Sequence, residues 1–212
     1  MPLASIDQFL NIGLQFNGAR PSRFICSVTP PAISIPGTSL QKFQYTCKSA
    51  NVPEATIGTV EQGYMGRKLK FSGDRTWQDW EVTVILDEDY VTRDMFESWM
   101  DNINAVEDNV MSDTVKSLGN GYTGYKGSID IMHLSQQNND IPIGHYNLVG
   151  AWPTMIGPIQ LSWDNQNQIS EFTVRFAYDD CRKVTANPIS NFNIGDIGTG
   201  NAPGVVIPVG GV

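Results

Sequence analysis

Histidine, cysteine, serine and carboxylate side chains build most catalytic and metal centres, so their spacing is the first thing to read. The 212-residue chain has two histidines, His133 and His145, and no carboxylate–cysteine set stands beside them at ligand spacing. They read as solvated or interface residues rather than metal ligands. The run Asp164-Asn165-Gln166-Asn167-Gln168 opens like a calcium loop. Its sixth position is Ile169, where the sharp turn needs Gly, and its twelfth is Arg175, where the ion needs a bidentate Glu. A hairpin turn explains the run better. The C-terminal glycines lack the Gly-Lys-Ser or Gly-Lys-Thr of a phosphate loop and the strand-to-helix switch that it needs. No Gly-x-Ser-x-Gly elbow occurs. With no nucleophile–base set, the expectation is a non-enzymatic protein with no cofactor.

Binding chemistry is the next possibility. Arg67, Lys68, Lys70 and Arg75 form a small basic cluster. It either contacts phosphate or pairs with carboxylates, local ones (Asp74, Asp79, Glu81) or those of a neighbouring subunit. The net charge of −8 favours pairing, because nucleic-acid sites need a broad basic face. An acidic wall still suits DNA that must slide past without sticking. Trp77, Trp80, Trp99, Trp152 and Trp163 offer faces on which bases stack, but they sit at strand ends and on an apolar helix face, which reads as core. The three cysteines, Cys26, Cys47 and Cys181, are odd in number and far apart in sequence, which reads as buried thiols in a reducing cytoplasm. No apolar run approaches the ~18 residues of a membrane helix, and the N-terminus does not read as a secretory signal.

The elements that would position these residues are mostly strands. Charged residues are only 17% of the chain, against 41% hydrophobic, a mix that suits β-structure with polar surfaces over long charged helices. A short helix is expected within 1–22, around Ile6, Phe9 and Leu10. Strands are expected at 24–28 and 43–48, the second because Phe43, Tyr45 and Cys47 alternate with polar residues. The proline-bearing 29–41 and the polar 49–62 read as connections. A basic strand at 66–71 runs into a polar turn, Ser72-Gly73-Asp74-Arg75, and then a strand at 80–86. Trp80, Val82, Val84 and Leu86 share its core face, and Glu81, Thr83 and Ile85 its other face. Met95, Trp99 and Ile103, flanked by Phe96 and Met100, predict a helix over 91–103. Residues 104–124 read as a loop. Strands follow at 126–133, 144–148, 158–163 and 170–178, the last two as a hairpin, with Phe172, Val174, Phe176 and Tyr178 facing inward. Residues 184–212 hold six glycines, three prolines and one charge, Asp196, and cannot bury a core of their own. The division is a domain over 1–183 and an extension over 184–212.

MGRKLKFSGDRTWQDWEVTVILDED (65–89) resembles the tail tube protein of contractile-tailed bacteriophages. In that family a Gly-Arg-Lys strand leads into Gly-Asp-Arg-Thr, an aromatic, Asp-Trp and a Thr-Val strand. GARPSRF (18–24), CKSANVP (47–53), FESWMDNIN (96–104), GAWPTMIGPIQLSWD (150–164) and ISEFTVRFAYD (169–179) match in the same order. The 29–41 loop, the 104–124 loop and the segment after Asp180 depart from the pattern.

The resemblance implies a mainly β, sandwich or barrel-like tail-tube fold with one outer helix (91–103), shared with type VI secretion and pyocin tubes. It implies hexameric rings stacked inside a sheath, in the virion tail after a stay in the host cytoplasm, with baseplate and tail-terminator proteins as further partners and DNA as passing cargo. Within that frame, Glu81, Thr83, Asp130, Glu171 and Thr173 are expected to face the lumen. Arg67, Lys68, Lys70, Asp74, Arg75, Glu54 and Glu61 are expected at subunit and ring contacts. Two alternatives share the fold, a tube-initiating baseplate protein and a secretion-system tube. A third, a monomeric β-sandwich module binding carbohydrate, predicts an exposed aromatic platform.

Overall fold

A computed structural model describes residues 18–31, 37–118, 123–136, 142–164 and 166–184, with isolated positions 6, 9, 10 and 14. The expected N-terminal helix and the 185–212 segment therefore lie essentially outside the described residues. In chain order the elements are β1 (Phe24–Thr29), α1 (Gly37–Thr46), β2 (Cys47–Ala50), β3 (Ala55–Tyr64), β4 (Arg67–Trp77), β5 (Trp80–Ile85), α2 (Val91–Ile103), α3 (Asp113–Ser117), β6 (Gly127–Leu134), β7 (Pro142–Ile156), β8 (Glu171–Ala177) and β9 (Asp180–Val184).

One antiparallel sheet runs β1-β6-β7-β8-β5-β2, with β9 also on β7. Its continuity comes from β7. The first part of this 15-residue strand pairs with β6 and β9, and residues from Trp152 onward pair with β8. The strand changes partners next to Gly150 (φ 69°), where a Cβ would strike the Asp179 carboxylate. The sheet's two halves thus close over a single core. Cys26, Val28, Ile129, Ile131 and Leu148 come from one half, and Val82, Val84, Phe172, Val174 and Phe176 from the other. The period-two pattern of β5 and β8 is buried as expected: Trp80, Val82 and Val84 point inward, as do Phe172, Val174 and Phe176.

Helix α2 closes the open end of this sandwich, and its bounds are those that the heptad-like apolar spacing predicts. Phe96 and Trp99 are fully buried and meet the Phe176 ring at 5.7 and 6.2 Å. Trp99 Nε1 donates to the Tyr125 carbonyl at 2.9 Å, so the indole is buried without an orphaned donor. Gly127 makes room for that indole, since a Cβ there would lie 2.9 Å from Cη2.

Several expectations are corrected. Residues 43–46 are helical, within α1, not strand. Leu40, Phe43 and Cys47 recur at i, i+3 and i+7, so helical spacing fits them as well as alternation does. Tyr45, which alternation would bury, is 81% exposed, while Phe43 is buried edge-on to Phe96 at 5.6 Å. The 104–124 segment contains α3, whose Ser112 Oγ accepts from the Val115 N–H. One outer helix therefore becomes three helices among the described residues. Residues 158–163 are not a strand; β8 pairs with the end of β7 instead, through Trp152↔Ala177 to Ile156↔Val174. Cys26 and Cys47, distant in sequence, are neighbours in the fold. That contact, with burial, pushes the Cys26 thiol up.

Lys42 clasps α1 to the approach to α2, with Nζ 3.2 Å from Asp87 Oδ2 and 2.9 Å from Asp89 Oδ2. Burial alone would raise the Asp87 pKa. The Lys42 ammonium and the Thr92 N–H outweigh burial and hold it below the usual range. The Asp89 and Asp87 carboxylates raise Lys42. The clasp's contribution is thus full between the ordinary carboxylate and lysine ranges. It is lost as pH falls through the depressed Asp87 pKa, and again as pH rises through the raised Lys42 pKa. Lys42→Met is expected to lower the thermal midpoint at neutral pH, with the gap to the wild type closing as the solution is acidified. Phe176→Ala removes the ring on which α2 rests and is expected to cost about 3–5 kcal/mol by chemical denaturation.

A candidate assembly interface

The segments read as a connection (49–62) and a turn (72–75) form the two strands of one long hairpin. β3 and β4 pair from Ala55↔Trp77 to Tyr64↔Arg67. Its loop is Met65-Gly66, both at positive φ (45° and 79°), the backbone that a two-residue hairpin turn with matching twist requires. Composition misled at Ser72-Gly73-Asp74 because the glycine there serves a bulge inside a strand. The register shifts between Ile57 and Thr59, and Gly73 faces Gly58 so closely that a Cβ would lie 3.0 Å from the Gly58 carbonyl oxygen.

This hairpin is an arm. Every residue of β3 is exposed, and among the described elements the arm packs substantially only on itself. The root is held by Trp77 against Tyr178, at 6.1 Å, and by Trp80 Nε1 donating to the Asn51 carbonyl at 2.7 Å. Beyond the bulge the arm has two unlike faces. Val60, Phe71, Leu69 and Tyr64 share one, all about half exposed or more, and Met65 at the tip is 86% exposed. Thr59, Ser72, Glu61, Lys70 and Lys68 share the other. There the Glu61 carboxylate lies 3.2 Å from Lys68 Nζ and 3.8 Å from Lys70 Nζ. A two-stranded ribbon in water is marginal at best, and each strand keeps one edge of unpaired backbone groups. An arm with an apolar face and two open edges is built to be covered.

The expected contact residues fall mainly on this arm: Glu61, Arg67, Lys68, Lys70, Asp74 and Arg75 lie along it, and Glu54 precedes it. Asp74 and Arg75 lie within a strand, not in the polar turn expected at 72–75. Asp74 sits at the bulge, and the Arg75 guanidinium lies over the Trp77 ring at 5.6 Å. The arm carries four basic residues against two acidic ones, inside a chain of net charge −8.

The other surface of interest is the outer face of β5 and β8, where Glu81, Thr83, Glu171 and Thr173 come together as the alternation predicts. The sequence reading missed their partners. Arg175 Nη2 bonds Glu81 Oε2 at 3.1 Å in direct cross-strand register, and Lys48 Nζ bonds Glu171 Oε2 at 2.6 Å. The face is therefore a row of hydroxyls and closed ion pairs, not a bare acidic strip. Alternation along β8 sets Arg175 on this face, but its pairing with Glu81 needs the β5–β8 register, and Lys48 needs β2 to border β5. Asp130 is not part of this group. It lies on β6 in the other half of the sheet, accepting from Asn147 Nδ2 and bonded to His145 Nε2, each at 2.8 Å. His133 Nε2 is 2.8 Å from the Arg20 carbonyl oxygen. Among the described residues no three metal-ligating side chains converge.

Trp163 is the exception among the tryptophans. Four are buried or half-buried, but Trp163 is wholly exposed, on the 157–170 loop between β7 and β8.

Residues 19–182 match the phage tail tube protein family. The chain is similar to the tail tube protein of Enterobacteria phage T4, at 32% identity over 139 residues that make up 66% of this chain and 80% of that protein. Its fold is similar to that of a chain in the tube-terminating cap of the anti-feeding prophage, with a TM-score of 0.55, 16% identity, and coverage of 79% of this chain and 91% of that one. A chain of the anti-feeding prophage baseplate, determined with six-fold symmetry, gives a TM-score of 0.54 at 15% identity over 78% of this chain and 95% of that one. The free-standing arm, the paired outer face of the sandwich and these likenesses lead to one conclusion: the chain belongs to the phage tail tube protein family.

Proposed function

We propose that this tail tube protein closes into six-membered rings that stack into the inner tube of a contractile tail. The arm covers a neighbouring copy, and the outer face of β5 and β8 lines the channel through which DNA leaves the particle. The observation that carries this reading is the arm, whose apolar face and open edges have no partner among the described residues. A heterologous contact of this kind closes a ring when its rotation closes and builds an open stack when it does not. The six-fold symmetry of the anti-feeding prophage baseplate supports the ring size. Sheath, baseplate and terminator proteins complete the set of partners. The virion tail is the site of action, and the host cytoplasm is where the chain waits for assembly.

The paired face suits a DNA channel for a physical reason. Cations already closed onto carboxylates offer little to a passing phosphate, and hydroxyls between them keep the surface wet without holding charge. Glu81→Gln with Glu171→Gln would release Arg175 and Lys48 towards the lumen. The expected result is intact tubes with slowed DNA ejection, the delay shrinking as salt rises, since phosphate contacts weaken with ionic strength. Ejection kinetics equal to wild type would remove these residues from the lumen wall.

Assembly itself is tested on the purified chain. Negative-stain images are expected to show rings or hollow tubes. Amides of residues 60–71 are expected to exchange rapidly in dispersed chains and slowly in the assembled form. Dispersed monomers at all concentrations, or equal exchange in both states, would oppose the reading.

A further inference from the structure

Two exposed apolar features stand at opposite ends of the same pair of strands. β5 and β8 run from Trp80↔Phe176 to Ile85↔Glu171. The arm leaves at the Trp80 end. The 157–170 loop is rooted at the other, where the Leu86 N–H bonds the Ser170 carbonyl at 2.9 Å and Gly157 bonds Thr173 at 2.6 Å. Arg93 Nη1 also donates to the Gly157 carbonyl, at 3.1 Å, tying the loop's start to α2. On this anchored loop Leu161, Trp163 and Ile169 are 79%, 100% and 76% exposed. A bare indole with two bare aliphatic neighbours is the composition of an interface anchor.

The ends also differ in charge. Around the loop root stand Asp87, Glu88, Asp89, Glu97, Asp164 and Glu171, against the paired cations Lys42, Lys48 and Arg93. The arm carries Arg67, Lys68, Lys70 and Arg75 against Glu61 and Asp74. Each end is thus apolar at its centre, and the two carry opposite charge.

From this juxtaposition we infer that the 157–170 loop is the receptor for the arm of a second copy in the adjacent ring, with Trp163 seated against the Val60–Leu69–Phe71 face. The inference rests on the ring-stacking reading above and adds its contact. An arm at one end and its receptor at the other make the joint head-to-tail, so each addition regenerates the same free ends and the stack has a direction. Opposite charge orients the approach, and the apolar seat holds it.

Two measurements on the full-length chain test this. In the first, benzoylphenylalanine is placed at position 163 and irradiated in mixtures with isotopically heavy chain. Cross-links from position 163 to heavy peptides within 59–72 are expected. In the second, Trp163→Ser, which touches no core residue, is expected to leave rings intact and to raise the concentration needed for tube growth about tenfold or more, as truncation of an interface anchor does. Melting behaviour equal to wild type shows that the variant folds. Wild-type tubes with cross-links confined to other segments, or normal tubes from Trp163→Ser, would overturn the receptor while leaving stacked rings in place. Failure of Trp163→Ser to take up sheath, with normal tubes, would give the loop to a different partner and overturn it too. Absence of rings and tubes from the unmodified chain would sink both readings.

Discussion

Phe176 is where the structure is joined. Its ring is fully buried and meets Trp80 of the neighbouring strand, and Phe96 and Trp99 of α2, with centroid distances of 5.7, 5.7 and 6.2 Å. Tilted and edge-on aromatic contacts of this kind add to what area burial alone contributes. They also fix orientation. With Phe176 pinned from both sides, β8 cannot rotate about its axis, and the alternating residues Glu171, Thr173 and Arg175 must face outward. The polar wall is thus a consequence of the core beneath it.

The arm obeys the opposite rule. Its strands are specified by local signals, a positive-φ turn and paired glycines at a bulge, and hardly at all by packing. Lysines on one face and a half-apolar other face leave it soluble but unfinished. Charged side chains near an open edge also discourage indiscriminate strand pairing. The body and the arm thus differ in kind: one is held by its own core, and the other leaves an apolar face and two strand edges exposed among the described residues.

Much of this was legible in the sequence, and the failures share a cause. β5, β8 and α2 were readable because burial imposes a strict period on them. Residues 43–46 were misread because Phe43 and Cys47 satisfy both periods, and only the tertiary contact of Phe43 with Phe96 decides between them. In the arm, the alternation over 66–71 does reveal the first half of β4, but β3 and the rest of β4 stay hidden because an exposed ribbon needs no strict apolar period and Gly58 and Gly73 imitate turn chemistry. The outer-face carboxylates were found on β5 and β8, but Asp130 was grouped with them only because strand order was unknown. Trp163 reads as core only if 158–163 is a strand that ends in it, and that segment is a loop.

The Lys-bearing, half-apolar arm has a consequence for timing. A ribbon that is marginal alone must be ordered when it first docks, and that conformational entropy falls mostly on the earliest contacts. Later copies dock onto surfaces already held in place. On the proposed stacking, growth from an existing end is then favoured over starting anew, and tubes form from free chains only after a lag that a ready-made ring would shorten.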